Sequence, residues 1–387
     1  VIDKFGRLNE KTGPYRGLKV MEARAKIAED MTRKNLLAPE KTEREYKHNV
    51  ATCYKCGSIL EPLILKNQWF VRMTEKPKSG AVSLRDLAVQ TVKSGKIKFV
   101  PARFEKIFFH WMKNLRDWNI SRQIPWGIKI PEKGNEDVFD TWFSSAQWPF
   151  ATLKTGKPSD FKEFYPTDVM ETGHDILFFW VARMIMLGIY TTGKIPFKTV
   201  YLHGLVRDKD RQKMSKSKGN AVDPLGVAEI YGADALRMAL IMGNAPGNDP
   251  VISEEKIRGF RNFATKIWNV ARFILMNYDE RLEKINPKFS VEDKKNLAEF
   301  KKIKNKITKE IETFKFHEAA STIYHYFWHV FADKIIESSK PRLRSENTAE
   351  QTAALKLNLT ILENCLKLLH PFMPFVTEEI YSQLPVK

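Results

Sequence analysis

Cysteines and long apolar runs are in short supply in this 387-residue sequence, and acidic residues are outnumbered by basic ones. Three cysteines, two of them in Cys53-Tyr54-Lys55-Cys56, cannot build a disulfide framework in a chain of this size, and a reducing, cytoplasmic setting fits them best. The longest apolar run, Ile176 to Tyr190, is broken by Arg183 and is too short to span a bilayer, so no membrane partner is expected. No low-complexity tract points to extended disorder. No initiator Met or signal-peptide pattern opens the chain at Val1, which suggests a soluble protein whose start lies upstream.

What is present is basic. Lys and Arg outnumber Asp and Glu by 64 to 46, a formal charge of +18, and the sequence pI is near 9.6. The excess is spread along the chain: 41 basic against 28 acidic residues up to position 250, then 23 against 18. Such a balance suits a polyanion, with nucleic acid the leading candidate, although solubility alone can account for it. Length favours two or more domains, and a hydrophobic share of 43% supports real cores.

Three styles of sequence follow one another. Residues 1–45 look like the tail of a domain, with turns at Gly6, Gly13-Pro14 and Gly17 and a helix over about Lys19–Asn35. Residues 46–252 hold the cysteine pair, strand-like Leu63-Ile64-Leu65 and Trp69-Phe70-Val71, a helix over Leu84–Lys93, and a segment rich in aromatics and arginine around Trp111, Arg116, Trp118 and Arg122. They then alternate strand and helix: strand Thr167–Glu171, helix Ile176–Tyr190, strand Lys198–Val206. That alternation implies a parallel sheet with crossover helices. Asp223-Pro224 reads as an N-cap with Pro at the first helical position; Gly232 ends that helix and Asp234 caps the next. From 253 to 387 the period is helical, with Ile257, Phe260, Ala264, Ile267, Trp268, Ala271 and Ile274 on one stripe and further helices at about 292–313, 316–338 and 349–368. Pro341, Pro371 and Pro374 punctuate them, and the lysines at 301, 302, 304, 306 and 309 read as a solvated helix face. The expected fold class is α/β plus all-α.

Two stretches carry phosphate chemistry. Lys213-Met214-Ser215-Lys216-Ser217 lies between a strand and a capped helix, where a loop can place two ammonium groups and two hydroxyls over a phosphate chain and neutralise a leaving pyrophosphate. A lysine-rich surface loop is the plain alternative. Thr172-Gly173-His174-Asp175 sits at the carboxyl end of a strand, where open α/β sheets bind ligands. Gly173 lets backbone approach a nucleotide, and Asp175 can accept from ribose hydroxyls, or simply cap the helix. Asp140-Thr141-Trp142-Phe143-Ser144-Ser145 and Phe178-Phe179-Trp180 would ordinarily be core aromatics. Cys53 and Cys56 have the spacing of half a zinc knuckle, but tetrahedral zinc needs four ligands.

Taken together, these stretches resemble the class I aminoacyl-tRNA synthetases. Tyr201–Asp208 through Gly219-Asn220 is similar to their signature loop with its preceding strand, and Thr172–Asp175 to the ATP-ribose motif placed before that loop. Asp140–Ser145 resembles a block shared by the valyl, isoleucyl and leucyl families, and Glu171–Leu187 with Val200–Asn220 resembles the valyl family throughout. The resemblance covers almost the whole chain. Gly13-Pro14-Tyr15 to Glu29-Asp30 looks like the exit from an inserted editing domain, Arg116–Gln123 like re-entry into the catalytic fold, and Arg261–Ala264 with His370–Phe375 like parts of a helical anticodon-binding domain.

The resemblance implies the second half of a Rossmann-like catalytic domain over 46–252 and a helical-bundle anticodon-binding domain over 253–387. It implies ATP with magnesium, valine and tRNA(Val) as partners, and a monomer. In it Lys213 and Lys216 act on the transition state, with Met214, Ser215 and Ser217 in the same ATP-binding loop; Gly173 and Asp175 hold ribose, and His203-Gly204 border adenine. Trp142, Ile176 and Trp180 line the amino-acid pocket. There are departures. The H-I-G-H motif is missing and would lie upstream, as would the editing carboxylates. A second cysteine pair precedes the editing domain in relatives, so zinc belongs to the longer protein if to either. Runner-up readings are an isoleucyl relative, opposed by Ile176 and the Phe178-Phe179-Trp180 block, and a non-catalytic RNA-binding module on the same fold.

Overall fold

The computed structural model describes residues 1–387 apart from 4, 38–47, 55, 61–64, 66, 78–81, 133, 209, 213, 215–222, 284 and 386–387. The chain divides into two compact units, Val1–Gln68 and Trp69–Lys387.

In the first unit, isolated bridges join Ile2 to Leu8 and Arg7 to Lys19. A 3-10 turn at Glu10–Tyr15 leads to α1 (Val20–Arg33), close to the expected Lys19–Asn35. The Tyr15 hydroxyl donates to Asp30 at 2.9 Å, pinning turn to helix. Among its described residues only Leu8 and Ala23 are buried, so this unit has little apolar core. Leu63 and Ile64, read as strand, lie outside the described residues.

The second unit opens with β1 (Phe70–Val71), α2 (Leu84–Lys93), β2 (Lys98–Val100) and α3 (Arg103–Lys113). Helix α2 has the expected bounds because Ser83 accepts from the Asp86 amide at its N-terminus. Helix α3 lies in the aromatic segment that sequence had left without an element; its Phe104, Phe108 and Met112 recur every fourth residue and are buried together. Next come β3 (Trp118–Asn119), β4 (Ser121–Arg122), β5 (Val138–Phe139), α4 (Thr141–Ser145), α5 (Trp148–Thr155) and α6 (Asp160–Phe164). Strand β1 pairs antiparallel with β3, and β4 with β5.

Strands β6 (Thr167–Gly173) and β7 (Phe197–His203) then form a parallel sheet with β2, in the order β2-β7-β6. Their register sets Gly173 beside His203, so both strands end level. Between them a 3-10 turn at His174–Ile176, a π-helix at Leu177–Ala182 and α7 (Arg183–Thr192) form the crossover. This continuous helix, His174–Thr192, has 19 residues and a mean hydropathy of 1.4 in its richest window, enough by length and composition to cross a membrane. That corrects the shorter reading, Ile176–Tyr190, which stopped two residues short at each end. Half of the window is buried in the protein, with Leu177, Val181, Ala182, Met184, Ile185 and Met186 in one core with Phe99, Val200 and Leu202. The apolarity thus has an internal cause: the helix covers the sheet.

After β7 come α8 (Pro224–Tyr231) and α9 (Ala233–Ile241). Asp223 accepts from the Leu225 and Gly226 amides, as Asp-Pro led us to expect. Asp234 does not cap α9, whose N-cap is Gly232 at φ +89°. The rest is helical: α10 (Glu254–Met276), α11 (Glu280–Glu283), α12 (Val291–Glu312), α13 (Phe316–His325), a π-helix at Tyr326–Ile336, α14 (Glu337–Leu343), α15 (Thr348–Leu369) and α16 (Pro374–Ser382). The buried Asp234 carboxylate accepts from the Phe375 and Val376 amides at 3.2 and 2.7 Å, so it caps α16 instead. Pro341 lies within α14, not between helices.

Candidate functional site

The carboxyl ends of β6 and β7 form a polar crest on an apolar sheet. Val200 and Leu202 are buried, while the alternating register leaves Glu171 and His203 at the surface. His203 Nε2 lies 3.2 Å from Glu171 Oε1, and its Nδ1 donates to the Gly204 carbonyl at 2.7 Å. Asp175 is exposed in the turn just past β6. A Cβ on Gly173 would stand 2.9 Å from Asp175 Oδ1 and 3.5 Å from His203 Cε1. Glycine at 173 therefore serves close packing, letting the Asp175 carboxylate and the His203 ring approach the end of β6. A Cβ on Gly204 would meet the Asn248 carbonyl oxygen at 1.9 Å, so its missing side chain serves a close backbone approach.

One residue that sequence reading missed ties this crest together. Asp249 Oδ1 accepts from the Leu205 amide at 2.8 Å and from His174 Nε2 at 3.1 Å, and Oδ2 accepts from Arg207 Nε at 2.6 Å. Burial alone would raise this carboxyl, but the Leu205, His174 and Arg207 donors and the guanidinium charge outweigh it and hold the pKa at about 2. Partners 42 to 75 residues away leave no local signal in the sequence.

A second cluster holds the aromatic blocks. Asp140 N-caps α4 and accepts from Trp118 Nε1 at 2.9 Å; Arg122 lies 3.2 Å away and Arg183 3.8 Å. The Arg183 guanidinium sits 3.9 Å over the Trp118 ring. Burial lowers the Arg183 pKa to about 10, with Asp140 acting in the opposite sense. Trp142 stacks on Phe179 at 5.9 Å, and Trp180 Nε1 donates to the Ser145 carbonyl at 3.0 Å. The two aromatic blocks thus meet, and half-buried Ile176 occupies the turn joining them to the crest.

The lysine loop is described only at its root. Lys213, Ser215, Lys216 and Ser217 lie outside the described residues; Met214 is half-buried, and its amide donates to the Val206 carbonyl at 3.4 Å. In the first unit, Thr52 bridges to Ile59 and the Cys56 thiol lies 3.4 Å from Ser58 Oγ. No set of three or more metal-ligating side chains occurs among the described residues.

A model of "tRNA synthetases class I (I, L, M and V)" matches residues 1–132 and 132–252, and one of the "Anticodon-binding domain of tRNA ligase" matches 293–387. The valine–tRNA ligase of Clostridium tetani is 44% identical over 415 residues, 99% of this chain and 46% of its own length. That of Symbiobacterium thermophilum is 43% identical over 420 residues, 100% of this chain and 45% of its own. The chain spans a little under half the length of these relatives. Among solved structures, Mycobacterium tuberculosis methionyl-tRNA synthetase with methionyl-adenylate aligns at TM-score 0.72 and 22% identity, covering 87% of this chain and 67% of that one. A LeuRS–tRNA–LeuAMS complex from Agrobacterium radiobacter aligns at 0.54 and 19%, covering 73% and 43%. At these identities the likeness is one of fold.

Proposed function

The chain belongs to the class I tRNA synthetases (I, L, M and V), and we propose that the protein containing it is a valine–tRNA ligase, activating valine with ATP and transferring it to tRNA(Val). The observation that carries this reading is identity of 40–44% with valine–tRNA ligases along essentially the whole chain. The meeting of the two aromatic blocks, Trp142 against Phe179 and Trp180 against the Ser145 carbonyl, supports it.

In this reading the valine carboxylate attacks the α-phosphorus of ATP and pyrophosphate leaves. Gly173 backbone and Asp175 hold the ribose, and His203-Gly204 border adenine. Lys213 and Lys216 neutralise charge on the departing pyrophosphate, where magnesium accompanies ATP. Trp142, Ile176 and Trp180 wall the side-chain pocket. A 3′-terminal ribose hydroxyl of the tRNA then takes the valyl group and AMP leaves. Residues 1–45 are read as the tail of an editing domain, 46–252 as catalytic, and 253–387 as anticodon-binding, in a monomeric cytoplasmic enzyme.

Pyrophosphate exchange by the full-length protein tests this. Valine should support exchange best, and Lys216→Ala should slow it about a hundredfold with little change in the valine KM, the scale of one preorganised charge-stabilising group. Preference for isoleucine would overturn the valyl assignment; no exchange with any amino acid would favour a binding module.

A further inference from the structure

The loop between α9 and α10 is pressed against the crest. Gly247, at φ +74°, lies so close to α3 that a Cβ would stand 2.5 Å from Phe104 Cε2. Arg103 Nη2 donates to Asn248 Oδ1 at 2.9 Å, and the Phe104 ring stacks on His174 at 5.6 Å. Just beyond, Arg207 bridges Val251 in parallel: the Arg207 amide donates to the Pro250 carbonyl at 2.9 Å and Ile252 donates back to Arg207 at 3.2 Å. Arg207 itself reaches forward, donating from Nη1 to the Arg211 carbonyl at 3.0 Å. There the Asp208 amide closes on the Gln212 carbonyl at 3.0 Å, and Asp208 Oδ1 accepts from the Gln212 amide at 2.8 Å. This is the turn from which the lysine loop departs.

We infer that Asp249 is a positioning residue for ATP, fixing with one carboxylate both the turn that carries Asp175 and the root of the loop that carries Lys213 and Lys216. The inference rests on the reading of those residues as nucleotide contacts. Its physical content is saturation: His174, the Leu205 amide and Arg207 all donate to Asp249, and they come from the two segments that must hold opposite ends of one ligand. A neutral amide cannot replace it, because its NH2 would face a donor.

Two measurements on Asp249→Asn test this. In the chain itself, amide hydrogen exchange at Leu205 and Met214 should quicken at least tenfold while amides of α10, α12 and α15 hold within twofold. In the full-length protein, the KM for ATP in valine-dependent pyrophosphate exchange should rise at least tenfold while that for valine stays within twofold. Arg207→Gln releases the same root from the other side and should raise the ATP KM in the same selective way, which covers the case in which Asp249→Asn fails to fold. Unaltered exchange at Leu205 and Met214, or equal rises in both KM values, overturns the inference. An unmutated protein with no valine-dependent exchange would fail the ligase reading separately; magnesium-ATP binding to the full-length protein, measured by calorimetry, should still weaken at least tenfold in the variant, and unchanged binding would overturn the inference by itself.

Discussion

Two carboxylate–arginine clamps in the 69–387 unit end in different surroundings. In the helical region Asp293 accepts from Arg342 at 2.7 and 2.8 Å and from the Ser290 amide at 2.9 Å, which completes a capping box at the start of α12. Its side chain is 2% exposed, and it joins two helices of a bundle whose core includes Phe263, Phe327, Phe331, Ile361 and Leu366. At the crest, Asp249 is 20% exposed, and its partners His174 and Leu205 lie within two residues in sequence of exposed Asp175 and His203. Both clamps remove a charge from water by saturating it with donors. One does so to hold a core together, the other to hold groups at a surface in fixed relation. Substitutions in the first region should therefore cost stability and in the second chiefly function.

Core truncation should give the largest stability effect. Phe263 is fully buried and meets the rings of Tyr324, Phe327 and Trp328. Phe263→Ala should cost about 3–5 kcal/mol in denaturant unfolding. Arg342→Ala comes next, on the order of 3 kcal/mol, because it strands a buried carboxylate. A loss below about 1 kcal/mol there would place the Asp293 clamp with surface ion pairs and erase the contrast.

Acid should discriminate the clamps further. The Asp249 pKa of about 2 lies below the ordinary carboxylate value of about 4, so its stabilisation is complete above about pH 4 and is lost as pH falls towards 2. The amount at stake is about 2 kcal/mol. Asp293 is also held below the ordinary range: burial would raise it, but Arg342 and Ser290 prevail. The difference between the unfolding free energies of the unmutated chain and Asp249→Asn, followed from pH 5 to pH 2, isolates the crest term. It should shrink steadily across that window; a flat difference would mean that Asp249 is not charged against its partners as the geometry requires.

Much of this architecture was legible in sequence, for identifiable reasons. Helix α2 and the cap at Asp223-Pro224 follow from contacts within four residues, and β6, the crossover and β7 from a change of period. What sequence reading missed is long-range. Asp234 looked like a local cap, yet its carboxylate serves α16 more than a hundred residues on. Helix α3 carried a four-residue stripe, but its flanking aromatics on other faces hid the period. The crest glycines, both indoles and the block opened by Asp140 stood out because resemblance marked them, whereas Asp249 and the bonding role of Asp140 did not. Their partners come from separate strands and turns, and no spacing rule links a carboxylate to donors that the fold alone brings near.

The smallest expected effect on stability lies where the aromatic cluster supports the crest. Trp180 Nε1 donates to the Ser145 carbonyl in the last turn of α4, and that carbonyl is only half-buried, so water can replace the donor. Trp180→Phe keeps an aromatic ring and removes the hydrogen bond, a net loss of about 1 kcal/mol or less. Selectivity should respond more than stability. The bond, with the Trp142–Phe179 stack, holds the block bearing Trp142 against the π-helix, and a smaller ring widens the proposed pocket by roughly the room a methylene needs. The ratio of valine to isoleucine activation should then fall about tenfold, the scale at which one methylene is discriminated in an apolar pocket. Unfolding and pyrophosphate exchange measured on the same variant separate the two outcomes. A stability loss above about 3 kcal/mol with an unchanged ratio would show that the cluster is built like the helical core, and that the division of labour between the two clamps stops short of the indoles.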